Sequence, residues 1–293
     1  MNAPLGLVLG FAADRLLGDP ARWHPVAGFG RAATALEQVT YADRRGPGAV
    51  HVAVLVCGSA ALGRVVPVAL ATWAVLGGRS LDREAAAVEA LLAAGDLPGA
   101  RRRLTHLVGR DTSTLDEAEV ARAVIESLAE NTSDAVVAPL VWGAVSGAPG
   151  LLAYRAANTL DAMVGHRNAR YERFGWSAAR LDDLLNLPGS RLTALLAVAL
   201  GDDHAGAWRA WRRDAGGHPS PNAGPVEAAF AGALGIRLGG INTYGDRVED
   251  RQVLGDGQAP GQHDITRARR LARQVGLGAL AAVVPIALLR RRR

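Results

Sequence analysis

Five apolar stretches divide the chain, at residues 3–13, 52–78, 135–154, 192–201 and 275–289. Hydrophobic and polar positions hardly alternate along them, so strand signals are nearly absent. A helix needs about 20 apolar residues to cross roughly 30 Å of hydrocarbon, and only the second and third stretches reach that length. The last stretch is shorter, but the arginines that follow it, Arg290–Arg293, can extend to the lipid headgroups. The pattern predicts an all-α, polytopic integral membrane protein with about four to five membrane segments and long helical polar loops.

The second stretch carries one charge near its centre, Arg64. A central arginine costs about 2.5–3.5 kcal/mol on the insertion scale, whereas each valine or leucine contributes roughly 0.3–0.6 kcal/mol in favour. With about eleven such residues in the run, insertion is neutral to favourable. Arg64 would then face the bundle interior or a wet cavity, where it contacts either an anionic group or a buried carbonyl.

A polar, helix-forming region separates the second and third stretches. Residues 82–94 are rich in alanine, glutamate and leucine, residues 95–98 interrupt the pattern, and residues 100–108 resume it. Thr114 and Glu117 have the spacing of a capping box, which predicts a helix that runs to about Glu130. We expect one membrane-embedded domain over residues 1–293, with a soluble-looking helical insertion at about 79–134. The positive-inside rule places the C-terminal arginines in the cytoplasm.

Composition excludes several kinds of chemistry. The count of lysine plus arginine is 33, and all of these residues are arginine, so the chain has no Schiff-base lysine and no P-loop lysine. Cys57 is the single cysteine, which excludes disulfides within the chain and cysteine-based metal sites. The net charge is +5, but the arginines are scattered and aromatic residues make up only 5%. We therefore expect no nucleic-acid partner, and an anionic membrane surface or phosphorylated substrates explain the excess base.

Two acidic segments flank the third apolar stretch. Glu126, Glu130 and Asp134 follow one another at i,i+4 on the predicted helix, with Asn131 beside them. Such a row costs stability unless a cation lies within it, and Mg²⁺ suits a few carboxylates together with phosphate and water. The alternative is a solvated helix end. Beyond the stretch, Arg155, Asn158 and Asp161 recur every three residues, and further along Asp182 and Asn186 are spaced at i,i+4. The same segment contains Arg170, Arg180 and Asp183. Adjacent aspartates near arginines fit a metal-bound phosphate as well as they fit a helix cap with salt bridges.

A proline-rich loop supplies the third polar segment. His218, Ser220 and Asn222 alternate with Pro219 and Pro221, and Glu227 falls in the first turn of the next predicted helix. Since prolines fix an extended loop, its imidazole, hydroxyl and amide have the character of a ligand clamp. The glycine-rich run at 235–245 is weak evidence for phosphate binding.

Six motifs together resemble the adenosylcobinamide-phosphate synthase family (CobD/CbiB) of cobalamin biosynthesis. Their order and spacing cover nearly the whole chain, and His166 stands where the family pattern has a tyrosine. The motifs are Gly18-Asp19-Pro20 with His24-Pro25, Val108–Thr112, Glu126–Asp134, Asn158–Gly165, Phe174–Asp183 and His218–Gly224.

The resemblance implies a multi-pass ligase of the inner membrane. It would join a carboxyl of adenosylcobyric acid to the amine of (R)-1-amino-2-propanol O-phosphate, with ATP as co-substrate and Mg²⁺ as cofactor. Membrane lipid and other late enzymes of the pathway would be its partners.

The roles that we assign on this basis form a hypothesis about the reaction. The catalytic residues would be His218, which accepts the amine proton, with Glu130 and Asp161. Arg110, Arg170 and Arg180 would bind phosphates, because guanidinium groups bind them bidentately. Further substrate contacts would come from Asn131, Asn158, Ser220 and Asn222, and the metal ligands would be Glu130, Asp134, Asp161, Asp182 and Asp183.

Two other functions fit the same segments. A metal-dependent membrane phosphotransferase also places aspartates and an Ala-Arg pair beside a membrane helix, and it would release CMP from a CDP-alcohol. A corrinoid-binding membrane protein without enzymatic activity would bind ligand and form no ATP-dependent product.

Overall fold

The computed structural model describes residues 3–18, 24–166, 168–244 and 247–291, and of residues 241–244, 247–250 and 291 the backbone alone. The all-α prediction is confirmed, except for one two-stranded antiparallel sheet. The helices are α1 (Ala3–Leu17), α2 (Pro25–Thr40), α3 (Arg45–Leu62), α4 (Val68–Val75), α5 (Gly78–Ala93), α6 (Leu97–Leu104), α7 (Glu117–Thr132), α8 (Ala138–Ser146), α9 (Ala148–Val164), α10 (Trp176–Leu200), α11 (His204–Asp214), α12 (Ala223–Leu234) and α13 (Gln262–Arg291). The strands are β1 (Leu238–Tyr244) and β2 (Arg247–Leu254).

The described residues form two compact units. The first contains residues from 1–77, 134–189 and 280–293, and the second contains residues from 78–133 and 190–279. The predicted insertion at about 79–134 thus falls in the second unit, together with residues 190–279.

Helices α3 and α9 pack together in the first unit. A hydrophobic cluster of this unit contains Val52 from α3 and Leu160 and Val164 from α9, around the fully buried ring of Phe174. Helix α1 packs against α4, where a Cβ atom on Gly10 would lie 2.4 Å from the Cβ atom of Thr72. The glycine therefore permits a backbone contact that a larger residue would prevent.

Helix α12 is the centre of the second unit, since every one of its residues is buried. Helix α11 packs along it, and the two backbones meet at Gly206 and Gly232. Glu227 is the one charged residue of this helix.

The second apolar stretch does not form the single helix that we predicted. Helix α3 ends at Leu62, and Pro67 precedes the first residue of α4. Gly63 is buried, and a Cβ atom there would lie 2.5 Å from the backbone of Pro149. Arg64 is exposed in the turn between the helices. The prediction that Arg64 faces a bundle interior or a wet cavity is therefore wrong, because the helix ends before Arg64 and leaves its side chain exposed.

The third stretch is also interrupted. A π-helical turn occupies Ser133–Val137, and Gly147, with φ of +68°, separates α8 from α9. A left-handed φ is easily adopted only by glycine, so this residue ends one helix and begins the next. The charge-free run is therefore the end of the π-helical turn followed by two helices that meet at Gly147.

Other predictions change in detail. The capping box of α7 is formed by Asp116 and Glu119, not by Thr114 and Glu117, and the helix extends to Thr132. The fourth stretch is the end of the long helix α10, and the fifth is the end of the 30-residue helix α13. Two described helices are long and apolar enough to span a membrane, namely Arg45–Leu62 and Gln262–Arg290.

Candidate functional site

Four polar side chains meet in the first unit. Asp134 lies on the π-helical turn, a feature often found at functional sites, while Asn158 lies on α9. Asp182 and Asn186 are one turn apart on α10, so they share a face of that helix. We call Asp134, Asn158, Asp182 and Asn186 the carboxylate–amide cluster.

Hydrogen bonds connect the whole cluster. The Nδ2 atom of Asn158 lies 3.2 Å from Oδ1 of Asp182 and 3.4 Å from Oδ2 of Asp134. The amide of Asn186 donates a short hydrogen bond to Oδ1 of Asp134. Arg155 donates to Oδ1 of Asn158 at 3.3 Å, which fixes the orientation of that amide. Two carboxylates from distant segments are thus drawn to one place by amide donors.

Asp161 and Asp183 lie next along the same two helices. Burial raises the pKa of Asp161 above its ordinary value, the nearby His166 opposes this rise, and the carboxylate of Asp183 adds to it. Asp183 lies 3.7 Å from Nη1 of Arg180, whose side chain is 61% exposed. This region therefore contains a carboxyl group with a raised pKa, that of Asp161, and an exposed guanidinium group, that of Arg180.

Arg170 is held at the surface of the same unit. Its Nη2 atom lies 3.0 Å from Oε1 of Glu37, and its guanidinium group lies over the ring of Tyr41 at 4.3 Å. The hydrogen bond that Arg170 donates to Glu37 is the main cause of its raised pKa. Because its side chain is 58% exposed, Arg170 can still meet an anion from solution.

An open groove of about 770 Å³ lies along α2 and α9. His24 and Arg31 line it, as does Thr159, the residue after Asn158. A smaller pocket of about 120 Å³ shares Thr159 and Val26 with the groove, and Arg155 lines it. Both openings thus adjoin residues that neighbour the carboxylate–amide cluster.

A second ionic cluster is buried in the other unit. Oε2 of Glu126 accepts a hydrogen bond from Arg110 at 3.1 Å, and Oε1 accepts from the backbone N–H of Gly239 at 2.9 Å. Arg122 lies 3.4 Å from the same carboxylate and donates a short hydrogen bond to the carbonyl of Gly239. Arginines and a backbone amide balance the charge of Glu126.

Hydrogen bonds within the proline-rich loop stabilise its conformation. The backbone N–H of Ser220 donates to Nδ1 of His218 at 3.0 Å, and the hydroxyl of Ser220 accepts from the N–H groups of Asn222 and Ala223. The amide oxygen of Asn222 accepts hydrogen bonds from Ser190 at 2.9 Å and Arg191 at 2.8 Å. The loop residues that we predicted as a clamp therefore also hold the loop in place.

His218 faces the fully buried Glu227. Its Nε2 atom lies 3.9 Å from Oε2 of Glu227, and both side chains are 1% exposed. Neither carboxylate oxygen of Glu227 accepts a hydrogen bond from the described part of the chain. Burial, followed by the negative charges of Glu126 and Glu130, raises the pKa of Glu227 well above its ordinary value. A proton taken up at Nε2 of His218 would lie next to this carboxyl group.

The structure brings together only part of the predicted metal set. Asp134 and Asp182 share the amide of Asn158, and Asp161 interacts electrostatically with Asp183. Within the described residues, no three acidic or imidazole side chains could hold a metal ion by themselves. Asn131 donates to the backbone carbonyl of Ser127 at 2.9 Å. Asp19 and Pro20 lie outside the described residues.

Sequence reasoning missed three residues of these clusters. Arg122 precedes Glu126 by one helical turn, a spacing that could have revealed the ion pair. Tyr154 lies on α9 near Asp134 and Asp182, and its buried hydroxyl makes no hydrogen bond within the described residues. Arg191 contacts the loop across 31 positions of sequence, and no local pattern could have indicated this.

Comparisons with known proteins agree with one another. The family described as CobD/Cbib protein matches residues 7–272. The chain is 51% identical to a "Cobalamin biosynthesis protein CobD" of Mycobacterium tuberculosis, over 99% of this chain and 96% of the relative. Proteins of the same name from Chromobacterium violaceum and Geobacter metallireducens are 50% and 46% identical, over 92% and 84% of this chain and 92% and 85% of their own lengths. No solved structure matches significantly.

Proposed function

Because this chain belongs to the CobD/CbiB family, we propose that it acts in cobalamin biosynthesis as an ATP-dependent, amide-forming ligase. The reaction would join adenosylcobyric acid to (R)-1-amino-2-propanol O-phosphate and release adenosylcobinamide phosphate. The observation that carries the proposal is the family match over residues 7–272, with relatives that bear the name cobalamin biosynthesis protein CobD.

The proposed chemistry has two steps. A carboxylate oxygen of the corrinoid attacks the γ-phosphorus of ATP, which forms an acyl phosphate and releases ADP. The amine nitrogen then attacks the acyl carbon, an amide bond forms, and phosphate leaves with the carboxylate oxygen. The amine must lose protons during the second step, so a base is required.

Mg²⁺ is the cofactor that we propose for this reaction. In enzymes it usually binds one or two carboxylates together with substrate phosphates and water, and it neutralises charge on the phosphate oxygens. Asp134 and Asp182 fit that requirement, because both carboxylates contact the amide of Asn158. Asp161, Asp183 and Glu130 remain further proposed ligands, and Glu130 and Asp161 remain proposed catalytic residues.

Arginines would bind the phosphate groups. Arg170 and Arg180 are exposed, and the exposed guanidinium groups support this role. Arg110 is proposed for the same role, although one of its nitrogens is committed to Glu126. Asn131, Asn158, Ser220 and Asn222 are the proposed polar contacts to substrate.

His218 is the proposed proton acceptor. Its Nδ1 atom already accepts a hydrogen bond from Ser220, so a proton from the amine would be taken up at Nε2. Because the His218 side chain is buried against Glu227, the proposal requires the loop to move before the amine can reach Nε2.

We also propose that the protein is a multi-pass protein of the inner membrane with its C-terminus in the cytoplasm. Helix α3 supports this proposal, because it is apolar and only 17% of its residues are buried. Helix α13 is about 45 Å long at 1.5 Å per residue and ends in arginines, which suits a cytoplasmic boundary.

A product assay tests the function. Membranes that contain the protein receive adenosylcobyric acid with one carboxyl labelled with ¹⁸O, the phosphorylated amine and Mg-ATP. We expect a product heavier than the corrinoid by the amine minus water, and one ¹⁸O atom in the released phosphate. The control omits the amine. Corrinoid binding without product would contradict the proposal, as would release of CMP from a CDP-alcohol.

A further inference from the structure

Helix α11 has two faces of opposite character. Ala207, Ala210 and Asp214 are buried, and this face packs on α12. On the other face Trp208 is 47% exposed, and Arg209 and Arg212 are exposed beside it. The inner face fixes the helix to its unit, so the outer face is available to a partner.

The two tryptophans of this face form a pair. The ring centroids of Trp208 and Trp211 are 5.5 Å apart in an edge-to-face arrangement, and the guanidinium group of Arg212 lies 5.8 Å from the ring of Trp208. Within the described residues neither indole N–H donates a hydrogen bond, unlike those of Trp73 and Trp142. The pair thus presents apolar ring surface and indole N–H groups that no described protein group accepts from.

The charges of this face are also unbalanced. Arg213 is neutralised by Asp214 and Asp256, at 2.6 and 2.7 Å. Within the described residues neither Arg209 nor Arg212 forms an ion pair at contact distance, although Arg209 is near enough to Asp256 to lower the pKa of that carboxyl group. Two guanidinium groups thus lie next to the exposed indole ring of Trp208. Indole rings with arginines are the combination that is enriched at the boundary between lipid tails and headgroups.

We propose that the outer face of α11, formed by Trp208, Trp211, Arg209 and Arg212, binds the anionic headgroup region of a lipid bilayer. The inference rests on the membrane insertion proposed above. Helix α13, a candidate span, begins in the same unit, so lipid lies within reach of this part of the chain. A protein partner would need an acidic surface, whereas a phosphatidylglycerol headgroup supplies both the charge for the arginines and hydrogen-bond acceptors for the indoles.

Fluorescence quenching in lipid nanodiscs tests this surface. The full chain is reconstituted with phosphatidylcholine alone or mixed with phosphatidylglycerol, each with bromine atoms near the top of the acyl chains. We expect the Trp208→Phe variant to lose part of the quenching that the wild-type protein shows. We expect Arg209→Gln/Arg212→Gln to lose quenching only in discs that contain phosphatidylglycerol.

The matched control is Arg79→Gln/Arg102→Gln, which removes the same charge from exposed positions of the same unit. Equal quenching in wild type and Trp208→Phe would overturn the proposal and leave the face to a protein partner. Equal loss in the control variant would also overturn it, because the effect would then be one of total charge. Ligase turnover in detergent separates the two proposals, since α11 variants should keep it. Failure to enter the discs would contradict both this proposal and membrane insertion.

Discussion

The amide nitrogen of Asn158 lies 3.2 Å from Oδ1 of Asp182. The same nitrogen lies 3.4 Å from Asp134, so one neutral side chain holds two carboxylates that would otherwise repel each other. Such an arrangement keeps two oxygen ligands together before a cation and its phosphate arrive.

Replacing Asn158 with alanine should therefore weaken the binding of Mg²⁺ more than it destabilises the fold. Loss of a residue that orients metal ligands typically costs about 10–100-fold in metal affinity or activity. We expect turnover to fall within that range and the Mg²⁺ concentration for half-maximal rate to rise. Gln258→Ala, which removes an exposed amide, is the control. An unchanged Mg²⁺ dependence with normal turnover would show that the cluster holds no metal.

Asp161→Asn tests the neighbouring carboxyl group. The substitution keeps the shape of the side chain and removes its charge, so the protein should remain folded and inserted. We expect turnover to be abolished, and we would measure product formation next to the yield of purified protein. Full activity in this variant would refute the role that we assign to Asp161.

Local features of the fold were predictable where they depend on neighbouring residues. The i,i+3 spacing of Arg155, Asn158 and Asp161 places them on one helix, as the structure has it. The sequence did not predict that helices end at Gly63 and Gly147, because the surrounding residues are apolar enough to continue a helix. What decides them is a close contact with Pro149 in one case and a left-handed φ in the other.

Long-range pairing explains the larger errors at the candidate site. The row of carboxylates in α7 indicated a cation, but Arg110 and the backbone of Gly239 supply the compensation for Glu126. The strand β1 begins beside this contact, and its Gly239 and Gly240 have φ of +78° and +88°. A glycine-rich run without alternation gives no strand signal, so the hairpin was missed.

The buried ion pair of Glu126 gives a stability prediction. Glu126→Gln leaves Arg110 and Arg122 without their carboxylate in an interior where both are nearly inaccessible. We expect a loss of about 3–5 kcal/mol in the free energy of unfolding, measured by denaturation in detergent. Glu117→Gln, an exposed position of the same helix, should change it little. Equal stability of the two variants would mean that the pair contributes no net energy.

Asp214 links helix α11 to the end of β2. Although burial opposes it, hydrogen bonds from Arg213 and from the N–H of Gly255 lower the pKa of Asp214 in the folded protein. A lowered folded pKa contributes stability above the unfolded pKa of about 3.9, and this is lost as the pH falls through the folded value. Asp214→Asn should cost about 2 kcal/mol at pH 7 and almost nothing in strong acid. Thermal unfolding at both pH values checks this, and an equal cost at both would contradict it.

Glu227 predicts the opposite pH dependence. Burial first, and then Glu126 and Glu130, raise its pKa in the folded protein, so folding favours the protonated acid. Its contribution is fully present below the unfolded pKa of about 4.3 and is lost as the pH rises toward the folded value, by at most about 1.4 kcal/mol per pH unit. Glutamine has the shape of the neutral acid and cannot ionise, so Glu227→Gln should match the wild-type melting temperature in acid and exceed it at alkaline pH. Glu117→Gln removes an exposed carboxylate, and its melting temperature should not rise relative to wild type as the pH increases. Arg251 and Arg110 oppose the rise in the pKa of Glu227. A Glu227→Gln protein that is less stable than wild type at alkaline pH would contradict the prediction, because it would mean that these arginines stabilise the ionised carboxylate more than burial destabilises it.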